Sequence, residues 1–229
     1  TVNMLTFDEQ GHLSKICSYA YHGNTPDVSI RDEEGNGRPW IGIDGGLFRM
    51  LEKNGSLVRE EISPQFRALN GLYITDMMKR DNVVWITTNH GLYRFDPYQQ
   101  QLIVYRNLSH EFLSSLALTS DNRLLVGSLY GVNVYDDATD SFSVWNTASN
   151  TPLKSDFVHS LLVDKGLIWV GTESGGIAKL VPRQLLLQNY VHTALPSSIS
   201  PNPVNAMYVE PDGTLWVGTV EGGLNVRRS

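Results

Sequence analysis

Trp169-Val170-Gly171-Thr172-Glu173-Ser174-Gly175-Gly176 is written again, almost unchanged, as Trp216-Val217-Gly218-Thr219-Val220-Glu221-Gly222-Gly223. Looser copies read Trp40-Ile41-Gly42-Ile43-Asp44-Gly45-Gly46, Trp85-Ile86-Thr87-Thr88-Asn89-His90-Gly91 and Leu125-Val126-Gly127-Ser128-Leu129-Tyr130-Gly131. The phrase returns every 40 to 47 residues. A repeat of that length, rich in short strands, signals a propeller or a related array.

The last copy shows how one unit is built. Val204 to Val209 is apolar-rich with strand character. Pro211-Asp212-Gly213 is a turn, because Asp and Gly tolerate the positive φ of a tight hairpin. Leu215 to Thr219 is nearly all apolar, as expected for a strand covered on both faces. Glu221-Gly222-Gly223 turns again into a third strand. Other copies add a fourth: Gln101 to Tyr105 and Ser141 to Trp145 alternate like outer, half-exposed strands. Each unit is therefore four antiparallel strands, a to d from the inside outward. The expected units are 28–62, 72–106, 112–146 and 157–192. Residues 1–20 supply the outer strands c and d of a further unit, and 203–229 supply strands a, b and c. The first full unit is degenerate, since Val28 to Glu34 carries many charges for an inner strand.

Gly42, Gly127, Gly171 and Gly218 sit two residues past the anchor, inside strand b. Glycine weakens a strand unless another backbone or sheet comes close, which stacked blades would demand. The anchor tryptophans read as core that fills the gap between sheets. Trp145, on an outer strand, reads as partly exposed.

Composition sets the remaining bounds. A 41% hydrophobic content suffices for a sizeable core. The apolar runs fall far short of the ~20 residues that a membrane helix needs. A single cysteine, Cys17, excludes internal disulfides. The net charge of −6 and the lack of a basic cluster point away from nucleic acid as a partner. No signal peptide is visible, and the first residues already read as strand. The chain is expected to be part of a larger propeller of about seven units, because it starts and ends on strand c. Alone it would form an open arc, a strained ring, or an oligomer covering its blade faces. A homodimer, or self-association through blade surfaces and open edges, is therefore expected.

The composite pattern V-x-x-[ML]-x-x-(D/E)-x-x-G-x-[LI]-W-[VI]-G-T-x-x-G-[GL] resembles the two-component regulator propeller repeat. The resemblance is strongest in the units ending at Gly176 and Gly223. It implies an all-β propeller in the periplasmic sensor region of a bacterial, Bacteroides-type hybrid two-component regulator. Oligosaccharides are the implied ligands. The kinase, receiver and DNA-binding segments of such a protein are not in this sequence, so membrane attachment and catalysis would belong to other parts of it.

The catalytic motifs are missing. Gly127-Ser128-Leu129-Tyr130-Gly131 misplaces the serine of a nucleophile elbow. The six histidines show no metal-ligand spacing. Asp136, Asp137 and Asp140 lack the glycine and the closing Glu of a calcium loop and read as a c–d turn. Asn54-Gly55-Ser56 and Asn107-Leu108-Ser109 are formal glycosylation sequons that read as turns. No metal or cofactor is expected.

Aligning the units places Ser29, Thr75, Ser114, His159 and Asn205 at one position, near the start of strand a. Their neighbours Val28, Ile74, Leu113, Val158 and Val204 are apolar, so the polar groups share one orientation. They read either as caps of the strand start or as a polar ring at the channel mouth. The b–c turns open on the same end and offer Asp44, Asn89, His90, Tyr130, Glu173 and Glu221. Aromatic faces beside carboxylates and amides would suit a sugar. Three functions are open. The first is a ligand-binding sensor, the second is an interaction scaffold, and the third is an enzyme resembling streptogramin lyases, with His159 or His90 at the channel. Fold alone does not choose among them.

Overall fold

The computed structural model describes residues 2–19, 30–31, 39–43, 45–149, 153–181, 186–201 and 203–228. Val2–Phe7 (β1) and Leu13–Tyr19 (β2) form a two-stranded sheet. Ile30–Arg31 (β3), Trp40–Ile43 (β4), Gly46–Lys53 (β5) and Ser56–Glu61 (β6) form the next. Ile74–Arg80 (β7), Val83–Thr88 (β8), Gly91–Asp96 (β9) and Gln101–Tyr105 (β10) follow. Then come Leu113–Leu118 (β11), Leu124–Ser128 (β12), Gly131–Asp136 (β13) and Ser141–Trp145 (β14). Val158–Asp164 (β15), Leu167–Thr172 (β16), Ile177–Val181 (β17) and Leu186–Tyr190 (β18) make the fifth sheet. Val204–Val209 (β19), Leu215–Thr219 (β20) and Gly223–Arg227 (β21) make a sixth, three-stranded one. Each sheet is a meander whose strands pair in chain order. These are the blades of a β-propeller fold.

Two compact units divide the chain. One holds Thr1–Ile86 and Arg94–Ile103, and the other holds Thr87–Tyr93 and Val104–Ser229.

In the first unit the degenerate blade still forms four strands, of whose inner one Ile30–Arg31 is described. Its b and c strands bury Ile41, Ile43 and Met50 together with Leu57 and Cys17. The connection after β6 holds a short 3-10 helix, Pro64–Leu69, which the repeat pattern does not signal. Proline opens it, where a missing N–H costs nothing. Phe66 drops from it onto Phe95, ring centroids 4.5 Å apart, and onto the edge of Trp40 at 5.6 Å. An aromatic from a connection thus completes the packing around the anchor tryptophan.

In the second unit, adjacent residues of one strand serve two interfaces. Ile168 and Val170 of β16 pack into a cluster with Leu125, Val132 and Val134 of the preceding sheet. Trp169 points the other way and packs with Val204, Leu215 and Val217 of the following sheet. Side chains alternate along a strand, so burial on both faces requires an unbroken apolar run. Full burial of each Val or Leu contributes about 1.5–3 kcal/mol.

The sequence assigned the in-strand glycines to close approach, and two of them show it. A Cβ on Gly127 would lie 2.6 Å from Ser115 Oγ and 3.0 Å from Val158 Cγ1. One on Gly171 would lie 2.6 Å from Val204 Cγ1. Gly218 departs from the expectation: its nearest neighbours are atoms of Ala206 in its own sheet, at 3.7 and 3.9 Å. The tryptophans divide in the same way. Trp40, Trp85 and Trp169 are buried, as core. Trp216 is only half-buried, and its indole N–H reaches Glu210 Oε1 at 2.6 Å. On the face of β19–β21 that carries Trp216, Tyr208 and Leu224 are 61% and 64% exposed. Trp145 is half-buried, as its outer strand implies.

The suspected calcium loop is a turn, as read. Asp136 Oδ1 accepts the Ala138 N–H at 2.9 Å. Asp140 Oδ1 accepts the hydroxyls of Tyr135 at 2.6 Å and Tyr105 at 2.9 Å.

Candidate functional site

Every strand a that can be followed in the second unit carries a β-bulge at the same place. Leu113 pairs with Ser128, and pairing resumes at Ser115 with Gly127. Val158 pairs with Thr172, then Ser160 with Gly171. Val204 pairs with Thr219, then Ala206 with Gly218. One residue is left over each time: Ser114, His159 and Asn205. These are three of the aligned polar positions. A bulge leaves its extra residue unpaired and re-aims its side chain. Leu113, Val158 and Val204 are buried, whereas Ser114 and His159 are half-buried and Asn205 is exposed.

The b–c turns are held against the same strand ends. Glu173 N–H donates to Phe157 O at 2.9 Å, Val220 N–H to Pro203 O at 3.0 Å, and Leu129 N–H to Phe112 O at 3.3 Å. Two glycines reach the chain leading into the following sheet: Gly91 N–H to Glu111 O and Gly131 N–H to Asp156 O, both 2.7 Å. Each turn is also stapled by the hydroxyl three residues past the anchor. Thr88, Ser128, Thr172 and Thr219 donate to the carbonyls of Gly91, Gly131, Gly176 and Gly223 at 2.8, 3.0, 2.9 and 3.2 Å. In the first three the same oxygen accepts a turn N–H, from His90, Tyr130 and Gly175. The Thr or Ser of the repeated phrase is therefore the part that shapes the turn, a role the sequence reading missed.

Chemistry concentrates on the fifth sheet. His159 lies on Phe157, centroids 4.5 Å apart and planes 20° from parallel. Its Nε2 is hydrogen-bonded to Glu173 Oε2. The bulge position and the turn position, both singled out in the sequence, thus meet. A second pair joins His90 Nδ1 to Glu111 Oε2 at 2.8 Å, and Arg106 Nη1 donates to His90 O at 3.3 Å. Tyr130 and Phe112 are exposed, and Asn89 is half-buried. Glu221 is exposed, with a left-handed φ of 57°. Thr75 lies in the first unit and is half-buried. Ser29 and Asp44 lie outside the described residues.

The aromatic component was legible but overlooked. Two residues before the polar position the sequence has Tyr73, Phe112, Phe157 and Pro203. The same alignment that found His159 would have found Phe157. Within the second unit the arrangement offers ring faces, hydroxyls and two carboxylate–imidazole pairs, which can take a ligand with apolar faces and many hydroxyls. Among the described residues no three His, Cys, Asp or Glu side chains are grouped to hold a metal.

Residues 198–221, which include β19, β20 and Glu221, match the model of the two component regulator propeller family. No curated protein sequence matches the chain. Among solved structures it is similar to the extracellular domain of a protein assigned as a hybrid two component system of B. thetaiotaomicron. That match has 22% identity and a TM-score of 0.69, over 88% of this chain and 28% of the other. It is similar also to the extracellular domain of a B. thetaiotaomicron protein assigned as a one component system. There the identity is 21% and the TM-score 0.73, over 99% of this chain and 32% of that one. A catalytically inactive virginiamycin B lyase of Staphylococcus aureus, solved with quinupristin, aligns at 12% identity and TM-score 0.60, over 91% and 73%. At these identities the likeness is one of fold. The chain spans about a third of the two extracellular domains it matches.

Proposed function

We propose that this chain is a ligand-sensing propeller segment of an extracytoplasmic, periplasmic receptor in a hybrid two-component regulator. Its ligand would be an oligosaccharide, bound at the end of the blades where the bulged residues and b–c turns converge. Binding would be passed to a histidine kinase elsewhere in the same protein. The observation that carries the binding site is the bulge repeated at Ser114, His159 and Asn205 beside stapled turns. The family match over 198–221 supports the regulatory setting, and likeness to two extracellular domains supports the compartment. The reading assigns the chain binding and no turnover. A ligand biases a distant kinase only by differing in affinity for two states of the receptor.

Calorimetry against a panel of oligosaccharides tests this. One class binds in the micromolar range and is recovered unchanged, and His159→Ala weakens that binding. If no oligosaccharide binds, or the bound one is consumed, the proposal fails. A non-catalytic interaction scaffold is the second reading, favoured by the exposed apolar side chains of Tyr208, Leu224 and Val226. Under it, sedimentation would show association that Leu224→Asp abolishes, with no sugar binding.

A further inference from the structure

The opposite end of the same blades carries a groove that the sensing site leaves unused. The a–b turns of two neighbouring sheets form it: Thr119 to Arg123, between β11 and β12, and Lys165 to Leu167, between β15 and β16. Its volume is about 640 Å³, and Leu167 and Val181 give it an apolar portion. A strand's two ends are separated by its length, so this groove and the bulged residues lie at opposite ends of β11 and β15.

Two cations line it, and both are held in place. Arg123 Nε donates to Asp121 Oδ2 at 2.9 Å, and Asp121 Oδ1 accepts the Thr119 hydroxyl at 2.5 Å. The Thr119 hydroxyl, followed by backbone N–H and the Arg123 charge, holds the Asp121 carboxyl below its ordinary range. Asp121 therefore stays ionised and fixes the guanidinium by its Nε. Among the described residues the two terminal guanidinium nitrogens have no side-chain partner, so the bidentate edge is left for another acceptor. Lys165 has a left-handed φ of 48° and Gly166 one of 78°, a two-residue hairpin turn. Lys165 Nζ is tethered to Pro211 O at 3.3 Å and keeps further N–H donors. Asp212 does not line the groove; it accepts the Thr214 N–H at 2.8 Å, and that bond and the Lys165 charge hold its carboxyl below its ordinary range. Ser120 adds a hydroxyl on the lining, 3.7 Å from where a Cβ on Gly166 would sit.

We infer that this groove is a second binding site, for a small organic carboxylate with an apolar body. The carboxylate accepts from Arg123 and Lys165, and the apolar body covers Leu167 and Val181. The ion pair with Asp121 and the contact with Pro211 O orient the two donors before binding, which lowers the freedom lost on binding.

The probe is benzoate, with benzamide as its neutral isostere, followed in amide proton–nitrogen spectra of the chain. Benzoate should shift the amides of Ser120, Lys165 and Gly166, saturably, with benzamide at least about tenfold weaker. Arg123→Gln and Lys165→Gln should each weaken benzoate by about fivefold to tenfold and leave oligosaccharide binding unchanged. Equal shifts from benzamide, shifts confined to the b–c turns, or no shift at all would overturn the inference. The wild-type comparison of the two probes stands even if a glutamine variant fails to fold.

Discussion

The imidazole of His159 lies flat on the ring of Phe157 while its Nε2 meets the carboxylate of Glu173. One residue comes from a bulge, the second from the chain two positions earlier, and the third from a turn 14 residues on. The bulge makes the meeting possible, because without the extra residue His159 would be an ordinary member of the ladder. The Glu173 N–H on Phe157 O then fixes the turn beside it.

His159→Ala removes the ring that touches both partners and exposes the Glu173 carboxylate. Under the sensing proposal, oligosaccharide affinity falls about tenfold or more, the size of one charge-assisted hydrogen bond. His159 is half-buried, so the melting temperature should move little. Calorimetry with a parallel thermal melt checks both. A large loss of stability with unchanged affinity would make His159 a structural residue only.

Gly171→Ala and Gly218→Ala make a matched pair. The first drives a methyl to within 2.6 Å of Val204 Cγ1 and should cost about 1–3 kcal/mol by overpacking. The second meets nothing closer than 3.7 Å and should be neutral or gain up to about 1 kcal/mol from the unfolded state. Urea unfolding of both variants measures the contrast, and equal effects would contradict the interface assigned to Gly171.

Thr172→Val keeps the shape of a buried side chain and deletes its hydroxyl. The Gly175 N–H loses its partner, while the Gly176 carbonyl keeps the Thr172 N–H at 3.0 Å, so the cost is about 1–3 kcal/mol. Thr172→Ser should recover most of it. Urea unfolding supplies the numbers, and amide exchange at Gly175 reports the turn itself.

Tyr135 tests the outer packing. Burial raises its phenol well above the ordinary value of 10.0, and the hydrogen bond to Asp140 raises it further. A folded-state value above the unfolded one means that the contribution is complete below pH about 10 and fades as pH climbs through the folded value. Alkaline titration at the phenolate absorbance should therefore find Tyr135 late, close to unfolding. Asp140→Ala should bring it earlier and cost about 1–3 kcal/mol, since two tyrosine hydroxyls lose their hydrogen bonds to the Asp140 carboxylate.

The blades were legible because their signal is local and repeated. A tryptophan–glycine phrase, a turn and an alternating outer strand each need only neighbours in sequence. The short helix at Pro64–Leu69 was not legible, since six residues give no helical period to detect. Phe66 looks like any loop aromatic until Trp40 and Phe95 are beside it. The candidate site was half legible. His159 and Glu173 were each picked out by position, but their hydrogen bond depends on a bulge, and nothing in the composition of Val158-His159-Ser160 announces one.

The sequence by itself determined that this protein is a run of small antiparallel sheets and which side chains alternate toward their faces, because strand periodicity and turn chemistry are properties of short segments. The tertiary structure alone decided which glycines are pressed by a neighbour, which tryptophans are covered, and which polar residues meet. Those outcomes depend on what lies across a gap from a given face, and Gly171 and Gly218 occupy the same phrase with different surfaces opposite.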